Sequence, residues 1–103
     1  MQGTRWPLAP EVPTADEAGL PGFHVGSWNS LWVRHGTPKA IVDRLNAAVV
    51  ESLADPAVGG KLVAQGQVVP PRDQQTPEAL RAYHQAEMDK WLPIMRAENI
   101  TPQ

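Results

Sequence analysis

The chain has 103 residues, of which 42% are hydrophobic and 19% charged, with a formal net charge of -2. That length holds one domain at most, and the charge balance gives no electrostatic reason to bind nucleic acid or an anionic membrane. With no cysteine in the chain, disulfides, thiolate catalysis and Cys-type zinc sites are all excluded.

The first stretch carries Pro7, Pro10 and Pro13. Proline removes backbone donors and fixes φ, so residues 1–13 read as an extended lead-in. Arg5 precedes no apolar run, so the start does not read as a signal peptide. No apolar run approaches the ~20 residues needed to span a bilayer. Thr14-Ala15-Asp16-Glu17 reads as a capping box, in which Thr14 accepts from an early N–H and Glu17 reaches back. Gly19 and Pro21 stop that helix after little more than one turn.

Residues 23–33 are the best strand candidate. Phe23 and Val25 alternate with polar neighbours, as do Leu31 and Val33. Gly26, Ser27, Asn29 and Ser30 surround Trp28, and small polar residues in a strand suggest a bulge or a close approach by another group.

Gly36-Thr37-Pro38 opens the clearest helix, over about 37–54, with Thr37 as N-cap and Pro38 at the first helical position. Ile41, Leu45, Ala48, Val49 and Leu53 recur at helical spacing on one face. Asp55-Pro56 starts a second helix, about 56–65, with Val58, Leu62 and Val63 inward and Gly66 as its cap. Gln67-Val68-Val69 reads as a short strand closed by Pro70-Pro71. Thr76-Pro77-Glu78 opens the last helix, about 77–98. Its stripe is Leu80, Tyr83, His84, Glu87, Met88, Trp91 and Met95, with Pro93 inside and Asn99 at its end.

Little of this spells chemistry. His24, His35 and His84 share no metal-binding spacing, and no HExxH, GxSxG, P-loop or GxGxxG is present. No catalytic residue, metal ligand or cofactor is expected. Asp16 and Glu17 read as helix-dipole partners rather than an acid/base pair. Trp91 and Trp6 read as packing residues. Trp28 stands apart, because its small polar neighbours leave room and donors for a ligand. Ser27, Trp28 and Asn29 are therefore the candidate substrate-binding residues.

The same residues spell a family pattern. Leu8 to Gly19 resembles the "LPDVPTxxEAG" segment of Bug-type receptors of the tripartite tricarboxylate transporter family, and Pro21-Gly22-Phe23 the "PGF" that follows it. Ser27-Trp28 resembles the start of "SWYGLFAPAGTP", and Gly36 to Asn46 is close to "GTPKAIVDRLN". Thr76-Pro77-Glu78, Lys90-Trp91 and Asn99-Ile100 resemble the closing pattern. Asn29-Ser30 replaces the usual Tyr-Gly, and Trp32-Val33-Arg34-His35 replaces Phe-Ala-Pro-Ala.

The resemblance covers only the C-terminal segment of such a receptor. It implies part of a type II periplasmic-binding-protein fold. That is an α/β architecture, here mostly helical with one crossover strand at 23–33 and one short strand. It implies a single partial domain over 1–103. The full-length receptor would be periplasmic, hold a small carboxylate solute and serve membrane transporter subunits. The principal carboxylate-binding loops of the family are not in this segment, so the chain alone is expected not to bind ligand. No membrane insertion is expected. Its apolar helix faces suggest a homo-oligomer. The alternative reading is a stand-alone protein–protein interaction module derived from the same segment. An enzyme is disfavoured by the missing nucleophile–base and metal patterns.

Overall fold

Three α-helices form among the described residues, two of them behind a side-chain cap. The computed structural model describes residues Gly3 to Thr101. They divide into two compact units, the first ending at Leu31 and the second starting at Trp32.

The first unit is built from turns. Its centre is the predicted capping box. The Thr14 amide donates to Glu17 Oε2 at 2.9 Å, and the Glu17 amide donates to Thr14 Oγ1 at 3.2 Å. The turn then closes through the Leu20 amide on the Ala15 carbonyl at 2.8 Å, with Gly19 at φ +93°. That is the left-handed residue a Schellman closure requires. Ala15, under this turn, is the one buried residue among those described.

The second unit holds α1 (Lys39–Ala54), α2 (Pro56–Ala64), a 3-10 turn at Arg72–Gln74 and α3 (Pro77–Ala97). Asp55 caps α2 by accepting from the Ala57 amide at 2.7 Å, and Thr76 caps α3 by accepting from the Ala79 amide at 3.1 Å. Both helices place proline in the first turn, where its missing N–H costs nothing. α2 ends in a Schellman motif at Gly66, with the Gln67 amide on the Leu62 carbonyl at 2.9 Å. α3 ends the same way at Asn99, with the Ile100 amide on the Met95 carbonyl at 2.9 Å. α3 runs through Pro93, which offers no amide to the Asp89 carbonyl one turn back.

Several expectations need correction. No strand forms among the described residues, neither at 23–33 nor at Gln67–Val69. The α/β expectation therefore fails, and the described chain is helices and turns. The physical reason is that a strand exists only as half of a ladder. The Phe23 and His24 amides instead close local turns on the Leu20 and Gly22 carbonyls, no described segment pairs with residues 23–33 as a ladder, and Gly26, Ser27, Asn29 and Ser30 add little β preference of their own.

Thr37 does not cap α1 either. Its Oγ1 donates to the Arg34 carbonyl at 2.7 Å, and its amide bonds the same carbonyl at 3.2 Å. It closes the turn that Gly36 makes possible at φ +85°, and α1 begins at Lys39 without a side-chain cap.

The inward face of α1 is also rotated from the expected one. Val42, Asn46, Val49, Val50 and Leu53 are half-buried, while Ile41 and Leu45 lie exposed. α1 packs against α2 and touches α3. Those neighbours, rather than the apolar count, choose the face. In α3, Leu80, His84, Glu87, Trp91, Leu92 and Met95 are half-buried. Trp91 thus lines a partly open face instead of filling a closed core.

Candidate functional site

A dense polar arrangement in the first unit grows from two adjacent carboxylates, Asp16 and Glu17. Glu17 faces back along the chain. Its Oε2 accepts from Arg5 Nε at 2.8 Å and from the Thr14 amide at 2.9 Å. Arg5 also donates through Nη1 to the Pro10 carbonyl at 2.8 Å, which fastens the proline-rich lead-in to the turn. Arg5 first, then the Thr14 amide, holds the Glu17 carboxyl below its ordinary value.

Asp16 faces forward. Its Oδ1 accepts from the Gly22 amide at 2.7 Å, and its Oδ2 lies 2.6 Å from His24 Nε2. The His24 contact first, then the Gly22 amide, holds the Asp16 carboxyl low. Hydrogen bonds to the charged form favour that form. The expected helix-dipole role of Asp16 and Glu17 is therefore incomplete, because both carboxylates clasp other segments. No spacing rule finds this. A contact between positions 16 and 24 depends on how the Pro21-Gly22 turn folds.

Ser27, Trp28 and Asn29 follow shortly after His24. Trp28 is half-buried, whereas Ser27 and Asn29 are exposed. All three lie in irregular backbone of the first unit.

In the second unit the Trp32 and His84 rings meet edge to face, with centroids 5.0 Å apart and planes at 65°. Edge-to-face geometry sets a positive ring edge on a negative face. On α3, Trp91 Nε1 donates to Glu87 Oε2 at 2.8 Å, and Lys90 Nζ lies 5.1 Å from the Trp91 ring centroid. Desolvation first, then the Glu87 charge, raises the Tyr83 phenol. Among the described residues no group of three or more His, Cys, Asp or Glu is placed to hold a metal ion. No helix among them is long and apolar enough to cross a membrane.

Residues 1–100 match the family model described as "Tripartite tricarboxylate transporter family receptor". The chain is 36% identical over 83 residues to a UPF0065 protein from the TAR-I ttuE-ttuC' intergenic region of Agrobacterium vitis, covering 81% of this chain and 24% of that one. It is 39% identical over 88 residues to a UPF0065 protein from the tcbD-tcbE intergenic region of a Pseudomonas species, covering 84% and 25%. A UPF0065 protein of Bordetella bronchiseptica is 31% identical over 93 residues, covering 90% and 27%. No solved structure matches the chain.

The chain belongs to the tripartite tricarboxylate transporter receptor family. It spans about a quarter of the length of these curated relatives.

Proposed function

We propose that this chain is the C-terminal part of a periplasmic receptor that binds small carboxylate-containing solutes. The receptor delivers them to the membrane subunits of a tripartite tricarboxylate-type transporter. The observation that carries this reading is the family match across residues 1–100. The chain is one partial domain of that receptor.

Ser27, Trp28 and Asn29 are its contribution to the solute site. Trp28 offers an aromatic face, and Ser27 and Asn29 offer hydrogen-bond donors suited to a carboxylate. The chain alone does not complete the site, since its relatives devote about three quarters of their length to other sequence.

Exposed apolar side chains support a second feature of the isolated chain. Trp32, Ile41 and Leu45 stand 60%, 50% and 48% exposed. Apolar surface left open in this way favours association, so the isolated chain forms homo-oligomers. Sedimentation showing a strict monomer would overturn that.

The receptor reading is tested by calorimetry on a longer reading frame containing this segment, and on the segment alone. Citrate and glutamate serve as probes. Binding by the longer protein only is the expected result. Micromolar binding by the segment alone would show that it holds a complete site. Failure of the longer protein to bind any small carboxylate would overturn the receptor reading.

A further inference from the structure

The turn from Thr14 to Gly19 carries two neighbouring carboxylates that fasten the chain in opposite directions. Glu17 holds Arg5 and the Thr14 amide, both upstream. Asp16 holds the Gly22 amide at 2.7 Å and the His24 ring at 2.6 Å, both downstream. Each Asp16 oxygen therefore grips a different point of the segment leaving the turn. Gly22 lies at φ +77°, a conformation that L side chains rarely adopt. The chain is thus redirected at the residue Asp16 grips. Only Val25 and Gly26 separate His24 from Ser27. Downstream of His24, residues 25–31 join no ladder. The clasp at Gly22 and His24 is thus the anchor that immediately precedes Ser27 to Asn29.

We propose that Asp16 is the positioning residue for Ser27, Trp28 and Asn29, acting through the Gly22 amide and the His24 ring. This rests on the reading of those three residues as solute-facing. Asp16 does not touch the solute. It fixes where the following segment departs, and charge-assisted hydrogen bonds of this length are the stronger kind.

The test uses backbone 15N relaxation on the 103-residue chain. Asp16→Asn keeps an oxygen for the Gly22 amide but removes the charge facing His24. In this variant the order parameters of Ser27 and Asn29 fall from about 0.85 to below about 0.6, on the usual scale of rigid and flexible backbone. Those of Arg5, Trp6, Leu8 and Ala9 stay unchanged. Glu17→Gln gives the reverse pattern, loosening the lead-in and sparing Ser27 to Asn29. A general loss of stability would not produce that split.

His24→Gln, whose amide still donates to Asp16, retains order at Ser27 to Asn29, whereas His24→Leu loses it. The His24 pair decides the matter if Asp16→Asn unfolds the turn. Unchanged order in Asp16→Asn and His24→Leu, or equal loosening by Glu17→Gln, would overturn the proposal.

No solute enters these measurements, so their failure leaves the receptor reading standing. A second arm measures citrate binding by the longer receptor. Asp16→Asn weakens it at least about tenfold, or about 1.4 kcal/mol, and has a smaller effect on a Trp28→Ala background. Normal citrate affinity in Asp16→Asn overturns the positioning role for binding. A wild-type receptor that binds no carboxylate overturns the receptor reading instead.

Discussion

The Asn46 side-chain amide donates to the Gln75 carbonyl at 2.8 Å across 29 positions of sequence. It joins the inward face of α1 to the residue just before the α3 cap. Gln75 in turn donates through Nε2 to the Pro70 carbonyl at 2.7 Å, so one residue closes the loop and receives the tie from α1. The Asn46 bond is partly buried, and water replaces it only in part. Asn46→Ala should therefore lower stability by about 0.5–1.5 kcal/mol. Asn46→Leu should cost more than Ala, because the Gln75 carbonyl then faces an apolar group. Urea denaturation followed by far-UV circular dichroism reads both. A midpoint unchanged in either variant would show that the bond is idle in solution.

The caps separate by mechanism. Asp55 and Thr76 each accept from an early helix amide, so Asp55→Ala and Thr76→Ala should each cost about 1 kcal/mol. Thr37 looks like a third cap by sequence but donates to the Arg34 carbonyl instead. Thr37→Ala should leave the helicity of α1 nearly intact and loosen the turn before it. Amide exchange at Lys39 and Ala40 is the sensitive readout. Faster exchange there in Thr37→Ala would mean that Thr37 caps α1 in solution.

Local signals were legible in the sequence and non-local ones were not. Asp55-Pro56 and Thr76-Pro77 open helices because a cap and the amide it satisfies lie within three residues of each other. The Thr14–Glu17 box forms for the same reason. Phe23 to Val33 has the alternation of a strand, but alternation supplies no partner, and no ladder forms among the described residues. The inward face of α1 keeps Val49 and Leu53 of the expected stripe but takes Val42 and Asn46 in place of Ile41 and Leu45. Ile41 and Leu45 are as apolar as Val42 and Val49, and only the position of α2 and α3 distinguishes them. Of the candidate site, Ser27, Trp28 and Asn29 could be picked out by composition. The Asp16–His24 contact just before them could not, since it depends on the path of the intervening turn.

Asn99 offers a different kind of test. It is the one non-glycine residue at positive φ among those described, at +52°, and it closes α3. Asparagine tolerates this region better than other L residues, and glycine does so without steric cost. Asn99→Gly should be neutral or slightly stabilising, while Asn99→Ala should cost about 1 kcal/mol. Gly66 does the same work for α2 at φ +78°, so Gly66→Ala should cost about 1–2 kcal/mol. Thermal melts of the three variants would order them. Equal melting of Asn99→Gly and Asn99→Ala would mean that the α3 end frays in solution.

The first unit should be acid-labile, and the direction follows from its two carboxylates. Asp16 is held below its ordinary 3.8, first by the His24 contact and then by the Gly22 amide. Glu17 is held below its ordinary 4.5, first by Arg5 and then by the Thr14 amide. A carboxylate whose folded-state pKa is depressed contributes stability that is complete above its unfolded value. That contribution is lost as pH falls through the folded value. The carboxylate contribution should therefore be complete above the ordinary carboxyl values and be lost progressively below about 4. Both groups are exposed, so salt should weaken the same contacts at neutral pH. In the second unit Asp55 caps α2 and Asp43 pairs with Lys39 at the start of α1, but α3 is capped by the uncharged Thr76, so the α3 signals should outlast those of the turn during an acid titration. Amide resonances of Thr14, Glu17 and Gly22, followed from pH 7 to pH 2, make the comparison directly. Loss of the α3 signals before those of the turn would show that the carboxylate clasps do not hold the first unit together.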